Sequence, residues 1–411
     1  MAPRAALMTI AGVWLAWAIA LLAFQALVPG RITLDRPDSV LEWTANETGL
    51  RSHQAQPNLL DPTFAGQVAW DSEFYISIAA VGYDDPSVRT MDPGDGTAPI
   101  SLNYAFMPLY PTLMRVLGLP LGALGLNPIA TAVVAGVVIS LLSALAAMIA
   151  LFSIARHHLG DGAGIRAATY LVVFPSGFFL AQVYTEALFL ALALGALALL
   201  TERRLLPAAG LAVLAVWTRP IGIALVIPLA LAVLGPIWRG RGSGVARAPR
   251  KLALGAIAVA APVVAYAIWA VSPLGARFAT VEREFFGQQL LSIGASWDAW
   301  TSILGGLDAA GADTQIYYGL EIAAIVLAVI ATVWAFRRAP GVALFGLVAL
   351  IVPLTSGAPQ SIIRYALAVP AIFLLLARLG SHPAFDRGWL IASTLVMGFL
   401  ATLFTFDFWV A

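Results

Sequence analysis

Residues 129–155 read IATAVVAGVVISLLSALAAMIALFSIA, a run of 27 residues without a single charge. At ~1.5 Å per residue a helix of that length reaches roughly 40 Å, more than the ~30 Å hydrocarbon core of a bilayer. The rest of the chain repeats the signal. Of 411 residues 60% are hydrophobic and 11% charged, mean hydropathy is +0.88, and soluble domains carry about 25% charged residues. The composition implies an all-α polytopic membrane protein.

Working outward, apolar runs recur at 6–28, 167–181, 187–200, 205–217, 221–237, 252–271, 316–336, 342–354, 362–377 and 389–409. Together these imply about eleven transmembrane helices. The first run ends at Val28-Pro29-Gly30, which lacks a small-x-small cleavage pattern, so it reads as an uncleaved span. The expected organisation is a first transmembrane helix over 1–28 and a long polar loop over 29–127 carrying amphipathic juxtamembrane helices. A multi-helix transmembrane domain follows over 128–411, interrupted by a loop at 272–315.

Charge asymmetry orients the chain. With the N-terminus inside, 14 of the 23 basic residues fall in the alternate loops on that side, from Arg4 through Arg203 and Arg204 to Arg387. Basic residues in short loops mark the cytoplasmic face, which puts loops 29–127 and 272–315 outside. Lys251 is the only lysine, a bias of GC-rich bacterial genomes. The expected location is a bacterial cytoplasmic membrane.

Several chemistries are excluded or weakened. The chain has no cysteine and four histidines, of which His157 and His158 are adjacent, so disulfides, thiolates and helix-spaced His-x-x-x-His sites are absent. A net charge of +1, with no basic cluster interleaved with aromatics, argues against a nucleic-acid partner. The aspartates at 84, 85, 92 and 95 sit in turn-forming sequence without the twelve-residue ligand loop of an EF-hand. Metal independence is the expectation, with Mn²⁺ or Mg²⁺ as the alternative.

The stretch from Trp70 to Tyr83, WDSEFYISIAAVGY, is amphipathic. At ~100° per residue Asp71 shares a face with Phe74, Tyr75 and Ile78, while Glu73 points to the opposite face and reads as solvated. A carboxylate on an apolar face costs free energy unless it is paired or used. Its other reading is a helix N-cap. Two later hairpins have helices of ~15 residues, too short to cross the bilayer, so their outer turns are expected below the membrane surface. One turn carries Gln182, Tyr184 and Glu186; the other carries Trp217, Thr218, Arg219 and Pro220. Arg364 stands near the outer end of the run at 362–377. Ionisable groups at such depth mark function by default.

A carboxylate facing arginines, with no nucleophilic thiol, suits a reaction in which a base deprotonates a hydroxyl while guanidinium groups hold an anionic leaving group. No Gly-rich phosphate loop is present, and an outside site cannot draw on cytoplasmic nucleotide sugars, so the donor is expected to be lipid-linked.

These residues also carry a resemblance. Trp70-Asp71, Tyr75, Gly82-Tyr83 and Ala105-Phe106-Met107-Pro108-Leu109-Tyr110-Pro111 resemble the signature of the PIG-V type mannosyltransferases, which include the second mannosyltransferase of GPI-anchor synthesis and its bacterial relatives. Tyr184-Thr185-Glu186-Ala187-Leu188-Phe189, Thr218-Arg219-Pro220-Ile221-Gly222 and Arg364-Tyr365 resemble later motifs of that family, in the same order. The resemblance implies a GT-C fold, a polyprenyl-phosphate-mannose donor and inverting hexosyl transfer without a nucleotide. It matches Asp71 to the essential acidic residue, supporting the general base, and Arg219 and Arg364 to positions near the donor phosphate. Glu186, Tyr75, Tyr110, Gln182 and Trp70 are weaker substrate-binding candidates. Met107 stands where an aromatic is usual and Pro220 where a polar residue is common, which leaves the acceptor open: glycolipid, glycan or protein. The competing readings are a lipid or glycolipid transporter or flippase, which ordinarily shows internal repeats, and a non-catalytic subunit of a glycan-assembly complex.

Overall fold

The computed structural model describes residues 3–28, 64–94, 96–238, 249–357, 360–406 and 408–410. Asp95, one of the turn aspartates named above, lies outside them, as does Trp43, an aromatic suited to a membrane interface.

Among the described residues the architecture is helical, apart from one hairpin of two-residue strands. Helix α1 (Pro3–Leu27) is followed by α2 (Asp71–Ala80), the hairpin β1 (Thr90–Met91) and β2 (Ile100–Ser101), and α3 (Leu109–Gly122). Thr90 pairs with Ser101 and Met91 with Ile100, antiparallel. The bundle proper begins with α4 (Pro128–Leu159), α5 (Asp161–Val172), α6 (Glu186–Thr201), α7 (Leu205–Thr218), α8 (Val226–Trp238) and α9 (Pro249–Ala270). A further pair, α10 (Pro273–Glu284) and α11 (Ile293–Gly306), precedes α12 (Ala312–Phe336), α13 (Pro340–Leu354), α14 (Ile362–Tyr365), α15 (Pro370–Leu379) and α16 (Pro383–Thr405).

Among the described residues five helices are long and apolar enough to cross a membrane: Arg4–Leu27, Pro128–Leu159, Arg250–Ala270, Thr314–Phe336 and Pro383–Thr405. Ile362–Ala368 and Pro370–Leu379 make a sixth if taken as one span bent by 79°. Four further apolar helices are shorter. The chain is thus a multi-pass membrane protein, but its apolar runs do not map one to one onto spans. Hydropathy alone does not separate a full crossing from a broken one. The run at 167–181 breaks after Val172 at Pro175-Ser176-Gly177 and resumes as a 3₁₀ turn over Gly177–Ala181. A Cβ on Gly177 would sit 2.5 Å from the Val172 carbonyl oxygen, so the chain turns back there only because no side chain intervenes. The run at 362–377 breaks at Val369 because Pro370 disfavours helix in the residue before it.

The core forms where α4 packs on α5 and α6, α6 on α7, and α12 on α13 and α15. Small side chains line these seams, with Ala144, Ala147, Ala193, Ala196, Ala212 and Ala215 all fully buried. In a lipid environment close backbone approach replaces the hydrophobic drive as the source of helix association. On one side of this bundle α2 rests on α3 and α4, and α10 covers the 3₁₀ turn Leu102–Ala105.

Candidate active site

Asp71 is the first residue of α2. The residue before it, Trp70, holds φ 57° and ψ −120°, a conformation costly for a non-glycine residue and therefore kept only where its surroundings enforce it. The Trp70 indole N–H donates to the Phe408 carbonyl at 3.3 Å, and its ring meets Trp409 edge to face. The Tyr184 hydroxyl donates to the Ala69 carbonyl at 3.1 Å and accepts from the Asp71 N–H at 3.2 Å. That N–H is one of the four a helix cannot satisfy internally. At the other end Arg115 donates to the carbonyls of Ala79 and Ile78 at 2.8 and 2.9 Å. The helix is clamped at both ends.

No side-chain capping bond is made at the start of α2, so the capping reading of Asp71 does not hold. Its carboxylate turns instead to Arg364, whose Nη1 donates to Oδ2 at 3.0 Å. Glu73 is also corrected: it is buried rather than solvated. Eight of the ten residues of α2 are buried, because α3, α4 and the 3₁₀ turn Leu102–Ala105 enclose it and leave no polar face for solvent.

Arg364, on α14, reaches a second carboxylate as well, its Nε lying 3.3 Å from Glu186 Oε1. Glu186 opens α6 and pairs through the same oxygen with Arg219 Nη1. Arg219 is placed by the sharp turn after α7: it is extended at φ −150° and ψ 137°, followed by the 3₁₀ turn Pro220–Leu225. Gly222 lets this turn close, since a Cβ there would lie 2.5 to 2.7 Å from backbone atoms of Ala215 and Val216. The Tyr365 ring lies under both guanidinium groups, 4.9 Å from Arg219 and 5.5 Å from Arg364, a favourable placement for cations held away from water.

Two carboxylates and two guanidinium groups from four separate stretches therefore form one chain, Asp71–Arg364–Glu186–Arg219. Side-chain exposure falls from 25% at Asp71 to 8% at Arg364 and 4% at Glu186, which makes Asp71 the accessible carboxylate and Glu186 an internal counter-ion. Glu186, Arg219 and Arg364 also line a cavity whose apolar wall includes Leu190, Ile221 and Leu367. Each guanidinium has five N–H donors, and the ion pairs leave some for the cavity.

Burial pushes the Asp71 carboxyl above its ordinary value, the Arg364 guanidinium pulls it partly back, and the Glu186 charge adds to the rise. That combination makes Asp71 more proton-hungry than a surface aspartate, as a base requires.

The weaker candidates divide. Tyr75 lies beside the cluster, its hydroxyl 3.4 Å from Thr185 Oγ1. Trp70 braces Asp71 as described. Tyr110 and Gln182 point elsewhere: Tyr110 bonds the Gly136 carbonyl at 3.1 Å and Ser140 at 3.0 Å, and Gln182 bonds Gln25 at 3.1 Å and the Phe178 carbonyl at 2.9 Å. The turn aspartates serve local structure. Asp85 accepts from Ser77 and from Ser87, Asp84 from Tyr104, and Asp92 from the Gly94 N–H. Among the described residues no group of three or more His, Asp or Glu is arranged to hold a metal ion.

Two carboxylates near the cluster escaped the sequence reading. Glu321 lies within α12 and accepts from the Ile363 N–H at 2.8 Å; a glutamate inside an apolar run was itself the signal. Glu282 lies half-buried on α10. Burial, helped by the negative charge of Asp71, pushes its carboxyl up to about 8. Only the amphipathic pattern of its helix could have hinted at it. The folded protein thus holds a proton on Glu282 that the unfolded chain releases near 4.5. Stability from this group is complete below that pH and lost as pH rises through about 8. Glu282→Gln is expected to raise the melting temperature at pH 9 and leave it unchanged at pH 4, as thermal unfolding in detergent would read; equal shifts at both would refute the linkage.

Solved structures similar to this chain are distant. The crystal structure of ArnT from Cupriavidus metallidurans bound to undecaprenyl phosphate is 16% identical, with 93% of this chain and 63% of that chain covered and a TM-score of 0.46. The archaeal oligosaccharyltransferase AglB from Archaeoglobus fulgidus, in complex with an inhibitory peptide and a dolichol-phosphate, is 15% identical, with 95% and 55% covered and a TM-score of 0.43. The chain spans 55% to 63% of the length of these two. No curated protein matches it. The family described as Mannosyltransferase (PIG-V) matches residues 21–231, just over half of the sequence, and the chain belongs to that family.

Proposed function

We propose that the protein is an integral-membrane glycosyltransferase of the GT-C type. It would move mannose from polyprenyl-phosphate-mannose to an extracytoplasmic acceptor with inversion at the anomeric carbon. The observation that carries this reading is the Asp71–Arg364–Glu186–Arg219 chain, which sets a partly exposed carboxylate beside a cavity edged by two guanidinium groups. Asp71 takes the proton of the acceptor hydroxyl as its oxygen attacks the anomeric carbon. The bond from that carbon to the phosphate oxygen breaks, and polyprenyl phosphate leaves against Arg219 and Arg364.

The proposed location is a bacterial cytoplasmic membrane, crossed several times, with the N-terminus inside and this site outside. Membrane lipids and a lipid-linked sugar are the proposed partners, with the acceptor a glycolipid, a glycan or a protein. The test is transfer of labelled mannose from polyprenyl-phosphate-mannose into membranes by the purified, reconstituted protein. Absence of transfer, in a preparation shown to be folded, would sink the donor assignment.

The reaction is proposed to need no metal, because guanidinium groups already supply the positive charge for the leaving phosphate. Activity is expected to persist in excess chelator. Loss that Mn²⁺ or Mg²⁺ restores would overturn this.

A further inference from the structure

The reading above makes Arg364 the hinge of the site, since it alone among the described residues pairs with both carboxylates. Its segment is an unpromising anchor: α14 is a single turn, Ile362–Tyr365, entered through Ser361 at φ 64° and ψ 20°. A non-glycine residue adopts that left-handed conformation only under outside constraint.

Three side chains supply the constraint. Glu321, fully buried on α12, accepts the Ile363 N–H at 2.8 Å. Tyr317, one turn earlier on the same helix, accepts the Ser361 N–H on its hydroxyl at 3.2 Å. The Trp409 indole donates to that same hydroxyl at 3.2 Å, while its ring packs edge to face on Trp70, next to Asp71, with centroids 5.1 Å apart. The carbonyl side of the turn is pinned from elsewhere, Ser176 Oγ donating to the Ile363 carbonyl at 2.8 Å. A buried carboxyl group is an expensive way to hold one turn of backbone, because hydrocarbon offers nothing for its charge, and Glu321 bonds the Ile363 and Ile362 N–H groups and the Tyr317 hydroxyl together. The expense makes sense where the held backbone aims a guanidinium.

We infer that Glu321 is a positioning residue, which with Tyr317 and Trp409 locks the turn at Ser361 so that Arg364 meets Asp71 and Glu186 together. The inference rests on the proposed roles of Asp71 and Arg364. Neither Glu321 nor Tyr317 touches the reacting atoms. Removing the lock lets Arg364 retreat from Asp71, so the base loses the cation that restrains it while the leaving phosphate loses a donor.

Glu321→Gln and Glu321→Leu would be compared in nanodiscs, scored per folded enzyme. Gln keeps an oxygen for the Ile363 N–H; Leu does not. Glu321→Leu is expected to lower kcat/KM about 10- to 100-fold, as misplacement of a catalytic group does, and to move the acidic limb of the pH profile upward. Glu321→Gln is expected to restore both. A merely structural glutamate would lower the yield of folded protein and leave the limb where it was. That result, or a Gln variant as impaired as Leu, would overturn the inference.

A readout independent of transfer separates this from the donor assignment. Asp71 and Glu321 share no direct bond among the contacts described above, yet Arg364 links them. Melting-temperature losses of Asp71→Asn and Glu321→Leu should fall short of additive in the double variant. Additive losses would refute the positioning. Coupled losses with an inactive wild type would support it and sink the donor assignment instead.

Discussion

Asp71→Asn is expected to lower turnover about 10²- to 10⁴-fold, the range a positioned general base supplies. Asparagine keeps the shape of the side chain and one acceptor for Arg364, so the variant should fold and still hold the donor. The loss should therefore fall on kcat rather than on the donor KM, which steady-state kinetics in nanodiscs would separate. Retained turnover would show that the base is elsewhere. Glu186 is the nearest alternative, but both arginines already occupy its Oε1 and it is almost wholly buried. The pH profile carries its own expectation. Burial lifts the Asp71 carboxyl above its ordinary 3.8, so kcat/KM should rise with pH along a limb displaced upward from an unperturbed aspartate.

Arg364→Gln is the second large effect. Removing one member of a buried ion pair costs about 3–5 kcal/mol, because the partners left behind have lost both water and counter-charge. Arg219 continues to neutralise Glu186, and Asp71 keeps 25% exposure, so the cost should lie toward the lower end. Transfer should suffer more than stability. Loss of a preorganised donor to the developing anion typically costs about 10²- to 10³-fold in kcat. The acidic limb should move further up, since Arg364 is what pulls the Asp71 carboxyl back. Arg364→Lys should not rescue transfer, because a single ammonium lacks the fork that meets Asp71 and Glu186 at once. Wild-type kinetics in either variant would remove Arg364 from the mechanism.

Much of this site was legible because charge inside an apolar chain is rare. Asp71, Glu186, Arg219 and Arg364 stand out against 11% charged residues overall, and all four meet in space. Which carboxylate pairs with which arginine was not legible, since Asp71 and Arg364 are 293 positions apart. Glu73 misled because helical periodicity assumes one free face, and α2 has none. Tyr110 and Gln182 sit in motif-like sequence, yet their hydrogen bonds serve packing. The number of crossings was the least legible feature. Pro175-Ser176-Gly177 and Val369-Pro370 break their helices without ending the apolar runs, and breaks of this kind are tolerated at membrane depth only where protein surrounds them.

The pairing of two carboxylates with two guanidinium groups bears on how the reaction would sit in an electric field. The resting cluster carries no net charge, and a sugar phosphodiester adds one negative unit. In the proposed transfer the acceptor proton would neutralise Asp71 while the departing phosphate gained a second negative unit, so the total inside the pocket would be the same before and after the bond changes. The chemical step is then electroneutral within the protein: no ion need cross or leave the lipid phase to balance it, and the voltage across the membrane would act only on the short shift of charge from Asp71 to the phosphate.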